Sequence, residues 1–242
     1  PPPRSTLFPY TTLFRSGHSD VYQSVRVYDL VQGGDPITVS PPSSLSAHTD
    51  RLIGFDHDST KLYVLSTFQG FNHSRNFRYD LWEVDVATSE HIRLSTNGPI
   101  RNFLSSSQHP TLPYFVYGAS QQVDDLDSNS IGFPTDIYAV ELYPFKQTKL
   151  TSSGRNVHPA YSPDGSSIAY VADIVGAGEQ WEVYTMTPDG SNQKQLTHTC
   201  EPKMLPQWSP DGSMISFVQI EDEVGVLYIM NADGTELRRV LD

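Results

Sequence analysis

The sequence predicts an all-β fold made of repeated four-stranded antiparallel sheets. Three observations carry that reading. Two C-terminal segments superpose 47 residues apart, Pro159-Ala160-Tyr161-Ser162-Pro163-Asp164-Gly165 and Pro206-Gln207-Trp208-Ser209-Pro210-Asp211-Gly212, and an internal period of this size points to a repeat architecture. Short alternating runs follow each segment: Ile168-Ala169-Tyr170-Val171 and Ile215-Ser216-Phe217-Val218, then Val183-Tyr184-Thr185-Met186 and Leu227-Tyr228-Ile229-Met230. Such runs, bounded by Asp-Gly turns, are what half-buried antiparallel strands need, and helical spacing is nearly absent.

Each element of the unit has a local reason. Ser-Pro-Asp-Gly makes a first hairpin, because Pro presets φ, Asp bonds its own backbone and Gly accepts a positive φ. The third strand is marked by an aromatic after an aliphatic: Tyr28, Trp82, Tyr138, Tyr184 and Tyr228, in steps of 54, 56, 46 and 44. Twelve residues beyond the last four stand Leu94, Leu150, Leu196 and Val240, the apolar residue of a fourth strand, and Tyr28 reaches Val39 in eleven. First and second strands are expected at Leu52-Ile53-Gly54-Phe55 with Leu62-Tyr63-Val64-Leu65, and at His109-Pro110-Thr111-Leu112 with Tyr114-Phe115-Val116-Tyr117. A β-sandwich would also alternate, but it would not require four strands to recur with one internal spacing. Radially packed four-stranded blades of about 40 to 45 residues do.

Composition narrows the function. With 28 acidic and 16 basic residues the chain carries a net charge of −12, which disfavours a phosphate-binding surface and hence nucleic acid. The single cysteine, Cys200, rules out an intramolecular disulfide and any Cys-x-x-Cys site. No apolar run approaches the roughly 20 residues that cross a bilayer, so no membrane span is expected. The sequence contains no Gly-x-Ser-x-Gly, no phosphate loop, no His-Glu-x-x-His and no dinucleotide fingerprint, and enzymatic chemistry is not expected of it.

The residues of the last two units resemble the WD40-like propeller repeat of the TolB type, with its pattern of Pro-x-Trp-Ser-Pro-Asp-Gly, Asp-Ile-Tyr and Asn-Ala-Asp-Gly. The match weakens over residues 50–97, where Asp56-His57-Asp58-Ser59 replaces the turn, and over 98–151, where the turn shortens around Pro113. The expected organisation is a partial blade at 20–47 and blades at about 48–97, 98–151, 152–198 and 199–242. That makes four blades plus a half blade, expected to be cut from a ring of about six. Residues 1–16 stand outside the repeat, and Thr6 to Ser16 resemble, residue for residue, the in-frame translation of a sequencing adapter. The resemblance implies a non-catalytic protein-binding module, periplasmic and in contact with a peptidoglycan-associated lipoprotein and other envelope proteins. The alternative is the gating propeller of a prolyl-oligopeptidase-like or dipeptidyl-peptidase-like serine peptidase, whose catalytic domain this sequence does not contain.

Three groups of residues are candidates for binding. The connection from second to third strand at Thr67 to Asp80 carries Phe68, Phe71, His73, Arg75, Phe77, Arg78 and Tyr79, and aromatic residues with Arg are the usual interface anchors. The other reading folds Phe68, Phe71 and Phe77 back over the blade rim. His109 and His158, each just before a Pro, are expected at equivalent places on innermost strands, as channel residues that bind an ion or substrate or that are simply hydrogen-bonded. Asp125, Asp127, Asn129 and Asp136 have the spacing of calcium-loop ligands, but Ser130 stands where such a loop needs Gly, so a solvated acidic loop is the other reading. Trp82, Trp181 and Trp208 read as blade packing. Cys200 reads as inert.

Overall fold

The computed structural model describes residues 50–67, 78–96, 99–101, 103–120, 135–173 and 180–240, together with two short strands, β1 (Arg26–Val27) and β2 (Ile37–Thr38), which pair antiparallel. The half blade expected at 20–47 and the adapter-like segment otherwise lie outside the described residues. The chain divides into two compact units, Pro1–Ile100 and Arg101–Asp242.

In the first unit, β3 (Asp50–Phe55), β4 (Lys61–Thr67), β5 (Arg78–Asp85) and β6 (His91–Arg93) form an antiparallel meander in chain order. Leu62, Val64 and Val84 are fully buried on one face, with Leu52, Phe55 and Val86 packed against them. The turn without the Ser-Pro-Asp-Gly pattern closes by the same physics. Asp56 Oδ1 accepts the backbone N–H groups of Thr60 and Lys61, both at 2.9 Å, and Ser59 takes the positive φ of 59° that Gly takes elsewhere. A short strand, β7 (Ile100–Arg101), follows.

The second unit holds three four-stranded sheets. The first is β8 (Phe103–Gln108), β9 (Tyr114–Ser120), β10 (Thr135–Leu142) and β11 (Phe145–Lys149). The second is β12 (Arg155–Tyr161), β13 (Ile168–Asp173), β14 (Trp181–Met186) and β15 (Lys194–Gln195). The third is β16 (Lys203–Trp208), β17 (Met214–Glu221), β18 (Val224–Asn231) and β19 (Arg238–Arg239). Within each sheet the neighbours are antiparallel, and one parallel contact, Thr135 with Arg155, links the first sheet to the second. The apolar alternation of each sheet is spent on the next. Ile137, Val116 and Leu150 pack on Tyr161, Ile168 and Tyr170, while Ala169, Val183 and Leu196 pack on Ile215, Phe217 and Met230.

Every first strand carries a bulge, between Leu52 and Gly54, Phe103 and Ser105, Val157 and Ala160, and Met204 and Gln207. An extra residue bends the strand and strengthens its twist, and in β12 and β16 the bulge places His158 and Leu205 at positive φ, 53° and 54°. The structure corrects one expected strand here. The first strand of the 98–151 sheet is Phe103–Gln108 rather than His109–Leu112, which instead lie in the turn to β9. The physical reason is its neighbour: Ser105 faces Gly118, and Ser107 Oγ accepts the backbone N–H of Tyr161 at 2.9 Å, so this inner strand is filled by serines rather than apolar side chains.

Candidate functional site

A brace of three side chains recurs at the mouth of three sheets and holds the ends from which the second-to-third-strand loops depart. At the start of the third strand stands an acid (Asp80, Asp136, Glu182), and just past the fourth-strand leucine stands a hydroxyl (Ser95, Thr151, Thr197). The hydroxyl accepts a third-strand backbone N–H in each case: Leu81 at 2.8 Å, Ile137 at 3.0 Å and Val183 at 2.9 Å. Thr151 then donates to Asp136 and Thr197 to Glu182. A cation completes each brace: Arg93 on Asp80, Lys149 on Asp136 at 2.7 Å and Lys203 on Glu182 at 3.0 Å. Burial of these acids is tolerable only because each is both hydrogen-bonded and charge-paired. Sequence reasoning missed the set, although its signal was there: an acid two residues before Trp82, Tyr138 and Tyr184 and a hydroxyl directly after Leu94, Leu150 and Leu196.

Most of the expected binding loop, Phe68, Phe71, His73, Arg75 and Phe77, lies outside the described residues. Arg78 opens β5 and is partly buried. Tyr79, expected on that loop, is a core residue instead: it is 1% exposed, and its hydroxyl accepts from Arg51 Nε at 3.3 Å. β5 begins two residues earlier than the loop reading supposed, and pleating turns Tyr79 inward. Asp125, Asp127 and Asn129 also lie outside the described residues, while Asp136 is committed to Lys149 and Thr151. Among the described residues no group of three or more His, Cys, Asp or Glu side chains converges as a metal site, and no helix is long and apolar enough to cross a membrane. Cys200 is an exposed free thiol.

The two histidines occupy different positions. His158 sits in the bulge of β12 with φ 53°, the place Leu205 takes in β16 with φ 54°. His109 opens the β8–β9 turn. Its Nδ1 accepts the backbone N–H groups of Thr111 at 3.2 Å and Leu112 at 3.0 Å, which leaves the other nitrogen protonated and donating to the carbonyl of Gly165 in the neighbouring sheet. Its ring meets Tyr161 edge-on at 5.0 Å. His109 is therefore a plug between sheets.

Burial lowers the pKa of both histidines below the ordinary 6.5, while hydrogen bonds from Ser162, Thr187 and Ser209 and from the residues after each turn hold Asp164, Asp189 and Asp211 at about 2. All five groups are depressed, so the unfolded chain binds protons that the folded chain does not. Stability is expected to be full above about pH 6.5, to fall first as the histidines of the unfolded chain protonate, and to fall again from pH 3.8 toward 2. Urea midpoints measured between pH 8 and pH 2.5 check this, and His109→Asn, which keeps a side-chain acceptor, is expected to shrink the first step only.

Four-stranded antiparallel sheets with a bulged inner strand, stacked face to face within the second unit, define propeller-type blades. The chain is homologous to TolB and TolB-like propeller proteins. It is 33% identical over 178 residues to the Tol-Pal system protein TolB of Methylococcus capsulatus, covering 62% of this chain and 42% of that protein. It is 36% identical over 73 residues to TolB of Sodalis glossinidius, covering 30% and 17%. The chain thus spans less than half the length of these curated relatives. No family model matches it. Among solved structures, a TolB-type protein of Agrobacterium tumefaciens superposes with a TM-score of 0.63 at 20% identity, covering 90% of this chain and 74% of that one. Puromycin hydrolase superposes with a TM-score of 0.66 at 17% identity over 97% of this chain and 38% of that one.

Proposed function

We propose that this chain is part of a non-catalytic, protein-binding β-propeller that acts outside the cytoplasm, in the manner of TolB in the Tol-Pal system. The observation that carries the reading is the 33% identity to a TolB over 178 residues. Its partner is an envelope protein, with a peptidoglycan-associated lipoprotein the first to test. The ring has about six blades. In support, Ser216, Val218 and Leu227 stand where Ala169, Val171 and Val183 stand in the preceding sheet, whose face is covered by Phe217, Trp208 and Tyr228. In the last sheet that face carries Leu227 at 45% and Val240 at 37% exposure, apolar surface of the kind a further blade covers.

Partner binding is assigned to the loop face, through Phe68, Phe71, His73, Arg75, Phe77 and Arg78. Replacing Phe71 and Arg75 together by Ala is expected to weaken the partner at least about tenfold while leaving the thermal midpoint unchanged, because such anchors carry about 1 to 2 kcal/mol or more each. Unchanged affinity in the double variant would remove the loop from the interface. The second reading, a gating propeller of a serine peptidase, is favoured by the superposition on puromycin hydrolase and on a prolyl endopeptidase with a TM-score of 0.63. Both likenesses are of fold alone, and the second reading needs a hydrolase domain on the same polypeptide.

A further inference from the structure

Between the second and third sheets of the second unit lies a groove of about 590 Å³ whose walls include Pro163, Trp208, Asp164, Asp211 and Asp233. Its counterpart between the first and second sheets is closed. There the ring of His109 fills the space, edge-on to Tyr161 at 5.0 Å, hydrogen-bonded to the Gly165 carbonyl and beside the Asp164 carboxylate. The fit is tight enough that a Cβ on Gly165 would fall 2.2 Å from His109 Nε2. Tyr161 and Trp208 occupy the same repeat position, as do Gly165 and Gly212, and His109 and Ser162 each open the turn between first and second strands. Ser162 is too short to reach across, and its hydroxyl turns back to Asp164 Oδ1 at 2.6 Å. The space over Gly212 is open as a result, and a Cβ there would meet only Pro163 Cδ, at 3.7 Å.

We infer that this groove binds an arginine side chain presented by a partner polypeptide, in the place that His109 fills internally one sheet earlier. The internal plug defines the chemistry of the occupant: a flat ring edge with an N–H group, set on an aromatic, donating to a glycine carbonyl, next to a carboxylate. A guanidinium supplies the same flat donor and stacks on an indole, which a lysine ammonium does less well. Charge favours it too. Asp211 spends Oδ1 on Ser209 and Ser213 and keeps Oδ2 for a cation, whereas Asp233, whose Oδ1 goes to Thr235, already has Lys194 beside it, with Nζ on its backbone carbonyl at 2.9 Å. Asp211 is held at about 2 by those bonds and stays ionised at any physiological pH. The site is at the turn end of the strands, whereas the loops of the proposed function leave from the other end, so either can fail without the other.

The test titrates the full 242-residue chain with acetyl-Gly-Arg-Gly-amide, and with its citrulline and lysine counterparts, while following the Trp208 indole N–H resonance by NMR, assigned through Trp208→Phe. The arginine peptide is expected to shift that resonance saturably, and the uncharged citrulline peptide to bind at least about fivefold more weakly. Asp211→Asn is expected to weaken the arginine peptide about three- to fivefold, and added salt to weaken it further. Ser162→His, which rebuilds the plug, is expected to abolish the shift. An unmoved Trp208 resonance, or equal binding of the citrulline peptide to the unaltered chain, overturns the inference whether or not Ser162→His folds. So does undiminished binding by folded Ser162→His.

Discussion

Gly165→Ala is expected to destabilise the protein by about 3 to 4 kcal/mol, and Gly212→Ala by only about 1 to 2 kcal/mol, although both glycines have a φ of +73°. The common part is the strain of a Cβ in left-handed backbone. The difference is the imidazole of His109, which leaves no room at Gly165 and has no counterpart over Gly212. Gly165 is buried and Gly212 only half-buried, as this requires. Urea midpoints of the two variants at pH 7.5 give the comparison directly. His109→Ala in the Gly165→Ala background is expected to recover a large part of the excess, because the clash is with a side chain rather than with backbone. Equal losses at the two glycines would mean that His109 moves aside freely and is no plug.

The second large effect is expected at Lys203. Its side chain is fully buried, with Nζ 3.0 Å from Glu182 Oε2 in the neighbouring sheet, 2.5 Å from Thr199 Oγ1 and 2.6 Å from the Glu201 carbonyl. Lys203→Met fits the volume but strands the buried Glu182 carboxylate, and about 3 to 5 kcal/mol of stability should go with it. Glu182→Gln in the same chain should restore part of that loss, since the amide needs no counter-charge and still accepts from Thr197. The recovery is only partial, because the Thr199 and Glu201 acceptors remain without their donor. A double-mutant cycle on thermal or urea unfolding measures the coupling. Near-additive losses would show that Lys203 serves its own loop and does not tie the two sheets together.

What was legible in the sequence was what is decided locally. At Ser209-Pro210-Asp211-Gly212 every residue has its task inside the turn: Met214 N–H bonds Ser209 Oγ at 2.9 Å, Ser213 N–H bonds Asp211 Oδ1 at 3.0 Å, and Gly212 takes the positive φ. Such positions announce themselves. The marker aromatics were legible for the same reason, since Trp82, Tyr138, Tyr184 and Tyr228 each stand on a third strand. β8 was not legible, because its serines answer to Gly118 and Tyr161, residues distant in sequence. The shared His-Pro dipeptide then drew His109 onto the position of His158, although one histidine closes a turn and the other sits in a bulge. Tyr79 read as a loop anchor because the aromatic run before it hides where the strand begins. The brace was not legible because only the sheets bring Glu182 to Lys203. The groove was the least legible feature of all, since it depends on a missing side chain: Ser162 where the preceding sheet has His109.

Equilibrium binding of this chain to the soluble domain of a peptidoglycan-associated lipoprotein, measured by titration calorimetry, tests the proposed function most directly. A saturable one-to-one isotherm with a dissociation constant of about 1 μM or tighter, weakened at least about tenfold by Phe71→Ala with Arg75→Ala, is the expected result. No heat of binding with the partner at about 100 μM would contradict it.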